Sequence, residues 1–192
     1  MTRSDNFNRD AEVPLSPPWI SALAGGVDSN GSLAYITTGE QNVHTSLYDG
    51  VWGGNQWAQG TVGSLGAGAF AILCVRSTIT TEPIGYEFHT NGLSGVGNTF
   101  IAMREVGGIT AIRNIATTVA NGDVMRFEVS LTTLSVYKNG SFVDSVVDTT
   151  YSSGQPGVGA YGAATVDDWS ASDGEDRVRG NRMVGWKYSR VS

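Results

Sequence analysis

The chain has 192 residues, 40% of them hydrophobic, which suits one domain with a sizeable core, and a formal net charge of −6. That charge argues against a general nucleic-acid binder, because phosphate contacts need clustered Lys and Arg, and no stretch approaches the ~20 apolar residues of a membrane-spanning helix. Twenty-six glycines, few charges and dense Ser, Thr, Val and Ile use predict an all-β chain of many short strands, and no long window carries a helical apolar stripe.

The amino-terminal stretch MTRSDNFNRDAEVPLSPPWI lacks the apolar run of a secretory signal and holds Pro14, Pro17 and Pro18. It reads as an arm plus first strand over residues 1–20, outside the core, on a chain made and kept soluble. SLAYITT then reads as a strand. Residues 48–60, YDGVWGGNQWAQG, gather Tyr48, Trp52, Asn55 and Gln56. This mixture of flat apolar surface and amide hydrogen-bonders suits a sugar ring. Trp52 also reads as a loop anchor, and Trp57, where a strand resumes, is expected in the core. GAFAILCVR places the single cysteine, Cys74, in an apolar run, predicting a buried thiol with no intrachain disulfide.

TFIAMREV, ITAIRNIATT and DVMRFEVS continue the strand pattern, and LSVYKNGSFVDSV sets Asn139-Gly140 between two alternating runs, the signature of a two-residue type I′ hairpin. In SGQPGVGAYG, strand alternation puts Gly157, Gly159 and Tyr161 on one face. That bare face implies close approach by another backbone, a bend or a ligand, and it adds Tyr161 to the candidate glycan contacts. After ATVDDWSA, residues 173–192 read as a basic arm. Residues 177–192 carry five basic and no acidic side chains, leaving seven basic against eighteen acidic for residues 1–176. Arg177, Arg179, Arg182, Trp186, Lys187, Tyr188 and Arg190 are the candidate assembly contacts of an extended strand docking on an acidic partner.

DNFNR (5–9), VANGDVMRFEVS (119–130), LSVYKNG (134–140), YSSGQPGVGAYG (151–162) and VDDWSA (166–171), in this order, resemble the concanavalin A-like lectin/glucanase superfamily in its LamG-like jelly-roll branch. The resemblance implies a two-sheet antiparallel jelly-roll sandwich over residues 5–172, with first and last strands side by side. Paired ends would bring together Asp5, Asn6, Asp167 and Asp168, hard oxygen ligands that suit calcium; the competing reading is solvated edge charge protecting a sheet rim.

Some members of that superfamily cleave β-glucans with a Glu-x-Asp-x-x-Glu strand, which is absent here, and the acidic clusters that exist, Asp167-Asp168 and Asp173 to Asp176, are adjacent in sequence. Since glycoside hydrolysis needs a positioned carboxyl pair, the expectation is no enzyme. Jelly rolls of this branch are similar to domains of bacteriophage virion proteins. The reading is a structural or adhesive virion protein, a capsid decoration or tail component made in the host cytoplasm. It would be a homo-oligomer that contacts other virion proteins and a cell-surface glycan, with no nucleic-acid or membrane partner. The alternative is a carbohydrate-binding module of a secreted bacterial protein.

Overall fold

In QWAQGTV, Ala58, Gly60 and Val62 fall on one face and Trp57, Gln59 and Thr61 on the other, the period of two that a half-buried strand requires. A computed structural model describes residues 2–7, 17–21, 28–29, 34–35, 44–79, 83–91 and 99–174. These form fifteen strands and no helix, so none of the described residues belongs to a helix able to cross a membrane.

One sheet holds β1 (Thr2–Asp5), β3 (Asp28–Ser29), β4 (Ala34–Tyr35), β6 (Gln56–Leu65), β11 (Val124–Ser130), β12 (Thr133–Lys138), β13 (Ser141–Val147) and β15 (Ala164–Ser172). Its order is β13-β12-β11-β6-β15-β4-β3, with β1 also against β15. The other holds β2 (Trp19–Ser21), β5 (His44–Tyr48), β7 (Phe70–Ile79), β8 (Pro83–His89), β9 (Thr99–Glu105), β10 (Gly108–Ile115) and β14 (Gln155–Tyr161), in the order β10-β9-β8-β7-β14-β5-β2. Neighbouring strands are antiparallel throughout, as in the pairs β11–β6 and β7–β8. The protein is an all-β, two-sheet antiparallel jelly-roll sandwich.

The inner faces meet in one core, where Leu73, Phe88 and Ile101 of the seven-stranded sheet join Phe127, Leu134 and Val136 of the eight-stranded sheet. First and last strands pair from Thr2↔Ser172 to Asp5↔Trp169. The described part of the amino-terminal stretch corrects the expectation of an arm outside the core: Phe7 and Trp19 are 0% and 4% exposed and belong to it. Burial of two large aromatics outweighs the polar, proline-rich look of the surrounding sequence. Residues 175–192, with all seven candidate assembly contacts, lie outside the described residues.

Lys138 pairs with Ser141 across a two-residue loop in which Asn139 and Gly140 have φ of 50° and 79°, the type I′ geometry. No atom lies within 4 Å of a Cβ built on Gly140, so a side chain there costs conformational strain alone. Gly140→Val is expected to destabilise the protein by about 1–3 kcal/mol, read from the urea midpoint at unchanged slope. A midpoint equal to wild type would contradict the turn assignment.

The glycine-rich strand β14 answers to its neighbours. A Cβ on Gly157 would sit 2.5 Å from the Ser46 carbonyl oxygen and 2.6 Å from Leu47 Cδ2, so the bare position admits strand β5. Trp169 Nε1 donates to the Gly157 carbonyl at 3.3 Å and ties the sheets together. The outer face of the seven-stranded sheet is buried over its middle strands: Leu47 of β5, Phe70, Ile72 and Cys74 of β7, and Glu87 and His89 of β8 are all buried there. Burial pushes the Cys74 thiol well above its ordinary pKa, so it is an inert apolar side chain.

Candidate functional site

The stretch 48–57 divides between packing and surface. Tyr48 stacks on Trp169 at 5.3 Å and meets Trp19 edge-on at 5.2 Å, so it is part of an aromatic cluster against the core. Trp52 packs on Tyr48 at 6.3 Å and donates its Nε1 hydrogen to the Tyr48 carbonyl at 3.1 Å, which makes it the loop anchor. Gln56 is buried and its amide is fully used: Nε2 donates to the carbonyls of Gly53 (2.9 Å) and Gly154 (3.1 Å), and Oε1 accepts from Arg76 N (2.9 Å). Asn55 is exposed, its Oδ1 accepting from Leu131 N at 2.7 Å. Tyr161 lies at the far end of β14 on the outer face, stacked on Phe70 at 4.8 Å, and does not join the other four.

Arg76 is the residue that sequence reasoning missed at this end of the sandwich. It sits in a β-bulge of β7 with φ 49° and is 5% exposed. Its guanidinium donates to three carbonyls, those of Gly54 (2.6 Å), Tyr151 (2.8 Å) and Leu131 (2.5 Å). The rigid five-donor fork of arginine can reach three loops at once. It thereby fixes the 53–56 loop beside the β11–β12 turn.

Between those two loops, Asn55, Gln56, Trp57, Glu128, Val129, Ser130 and Gly174 line a cleft of about 220 Å³. Trp57 corrects the expectation that it belongs to the core. It is half-buried on the outer face of the eight-stranded sheet, with the Arg126 guanidinium 4.3 Å from its ring centroid. The signal was present in the sequence, because Ala58, Gly60 and Val62 fill the inner face and alternation sends Trp57 outward. Arg126 also lies 5.8 Å from the Tyr137 ring and pairs with Glu128 Oε2 at 2.6 Å; Tyr137 in turn meets Phe142 edge-on at 5.8 Å. The site therefore offers a flat aromatic face, an amide, a hydroxyl and a carboxylate whose charge a guanidinium balances.

The acidic edge is built by the pairing of β1 with β15. Ser4, Asp5, Asn6, Asp168 and Trp169 line an open cleft of about 510 Å³. Asp5 spends its carboxylate inside the protein, accepting from Phe7 N and Trp19 Nε1, both at 2.8 Å. A bulge in β15 separates the remaining pair: Asp167 keeps strand register opposite Thr61 and accepts from Asp168 N at 2.8 Å, while Asp168 takes φ 47° and lines the cleft. Among the described residues no three His, Cys, Asp or Glu side chains gather as a metal centre.

No family model matches the sequence, and no curated protein matches it at a significant level. Solved structures do match. The carbohydrate binding module CBM66 from Bacillus subtilis is similar with a TM-score of 0.63 at 15% identity, over 79% of this chain and 91% of that one. The Caenorhabditis elegans galectin LEC-6 gives 0.52 at 16% identity, over 71% and 94%. The Crh5 transglycosylase gives 0.61 at 9% identity, over 90% and 84%. At these identities the likeness shows the fold, a galectin-like and concanavalin A-like jelly roll of the kind found in lectin and carbohydrate-binding domains.

Proposed function

We propose that the chain is a non-catalytic carbohydrate-binding domain whose sugar contact is the Trp57 cleft. The observation that carries this reading is a half-exposed tryptophan between Asn55, Ser130 and Glu128 on the open face of one sheet, while the outer face of the other sheet is buried over β5, β7 and β8. Aromatic surface with a few oriented polar groups is what a sugar ring binds. A hydrolytic reading would need two carboxyl groups roughly 5–9.5 Å apart in separate roles, and the described carboxylates nearest this reading are otherwise engaged. Here Glu128 is tied to Arg126, Glu87 is buried in an ion pair, and Asp167 hydrogen-bonds its neighbour. The setting we favour is a bacteriophage particle, as a capsid decoration or tail component adhering to cell-surface glycan. The basic segment 177–192 following an acidic body supports a docking arm. A module of a secreted bacterial protein would use the same cleft without that arm, and mass spectrometry of purified particles separates the two.

The binding claim is tested on a glycan array, followed by titration calorimetry of the glycans retained. Trp57→Ala is expected to weaken binding roughly tenfold, the effect of losing about 1.4 kcal/mol of stacking, with its thermal midpoint close to wild type. Trp52→Ala is expected to act chiefly on stability, because Trp52 anchors a loop. An array on which no glycan is retained, or binding indifferent to Trp57→Ala, would sink the reading.

A further inference from the structure

We infer that the site accommodates a neutral, linear polysaccharide chain lying across the strands rather than a single terminal sugar. This inference rests on the carbohydrate-binding reading and concerns the same face. Trp57 on β6, Arg126 on β11, Tyr137 on β12 and Phe142 on β13 form one row of planar groups in successive contact across four neighbouring strands. Tyr137 stands in register opposite both Arg126 and Phe142, so the row runs perpendicular to the strands from β11 to β13, while Trp57, in register with Glu128, meets Arg126 diagonally. Adjacent strands lie ~4.8 Å apart, close to the advance per ring of an extended β-1,4-linked chain, so the row presents about one planar group per sugar.

Charge decides the class of chain. Side-chain alternation assigns to the outer face of these four strands two charged residues, Arg126 and Glu128, and they neutralise each other at 2.6 Å. The rest of that face is Ser, Thr, Gln, Val and aromatic side chains. On these four strands a uronate or sulfated chain would find no uncompensated cation, and a polyamine sugar no uncompensated anion. A neutral chain finds rings to stack on and hydroxyl and amide groups to bond. Phe142 is 60% exposed at the distal end of the row, an apolar exposure that monomeric proteins usually avoid in such continuity with other aromatics. Cross-strand packing alone would explain the Tyr137–Phe142 contact, and the experiment separates that from binding.

Soluble cello-, manno- and xylo-oligosaccharides from disaccharide to hexasaccharide are titrated into the full chain, alongside the glycan array. Affinity is expected to rise roughly tenfold or more from disaccharide to tetrasaccharide and then level off. Phe142→Ala and Tyr137→Ala are each expected to remove most of that gain, whereas Trp57→Ala weakens every length. Thermal unfolding of each variant establishes that it is folded, and Phe142→Leu, which keeps apolar bulk without a ring, is expected to lose the gain as Phe142→Ala does. Binding with no length dependence, or a length gain untouched by Phe142→Ala and Tyr137→Ala, overturns the extended platform and leaves the Trp57 cleft standing. Preference for a uronate chain overturns the neutral assignment. Retention of no glycan at all removes the carbohydrate reading and this inference with it.

Discussion

Replacing Arg76 with alanine is expected to lower the free energy of unfolding by about 4 kcal/mol, in the range reserved for broken buried networks. The guanidinium is the hydrogen-bond partner of the carbonyls of Gly54, Tyr151 and Leu131. Each bond to a charged donor contributes about 1.5–3 kcal/mol, and each carbonyl left unsatisfied adds a desolvation penalty. Partial entry of water into the vacated space offsets some of this, which keeps the expected loss below the simple sum. Lysine is not a substitute, because one ammonium on a flexible stem cannot face three loops together. Arg76→Lys should recover less than half of the loss. The same change should weaken glycan binding, since Asn55 and Ser130 flank the cleft on segments that Arg76 holds. Urea unfolding read by fluorescence and by circular dichroism gives the stability change, and a loss under about 1 kcal/mol would mean that water satisfies these carbonyls without Arg76.

The second large effect concerns Glu87, which is 1% exposed on the buried middle of the outer face of the seven-stranded sheet. Its carboxylate accepts from Arg104 Nε at 2.5 Å and meets His89 Nε2 at 2.7 Å. Burial by itself would raise its pKa, but the hydrogen bond and charge of His89, with Arg104 behind them, hold it below the ordinary glutamate value of 4.5. Glu87→Gln keeps the shape and removes the charge, leaving Arg104 without its carboxylate. The expected cost is about 3–5 kcal/mol at neutral pH. Since the folded pKa is depressed, the unfolded chain takes up this proton first as pH falls below about 4.5, and the native state loses stability until the folded group protonates as well. Wild type should therefore destabilise on acidification through this window, and the variant should show a shallower slope there. Asp123, Asp144 and Asp148 are also held below their ordinary values and add to the acid slope in both proteins. Identical slopes would assign the acid sensitivity to those aspartates and not to Glu87.

Much of the architecture was legible without coordinates because strands and tight turns are local. Asn139-Gly140 specifies its own hairpin, the alternation in DVMRFEVS assigns Met125, Phe127 and Val129 inward, and an apolar run around Cys74 predicts a strand buried on both faces. Trp57 was legible too, since alternation with Ala58, Gly60 and Val62 sends it outward. Other features depend on partners distant in sequence. Tyr48 packs against the core only because Trp169, far along the chain, stacks on it, and Phe7 and Trp19 are buried only because β1 and β2 find β15 and β5. Arg76 looks like an ordinary strand arginine until a bulge turns it beneath three loops, and Arg126, Tyr137 and Phe142 form a row only once β11, β12 and β13 are in register with β6. Local sequence thus sets the strands, their turns and their faces through backbone sterics and side-chain alternation. Which faces are covered, which aromatics stay at the surface and which polar groups meet is set by long-range pairing, whose energies come from residues that no short window contains.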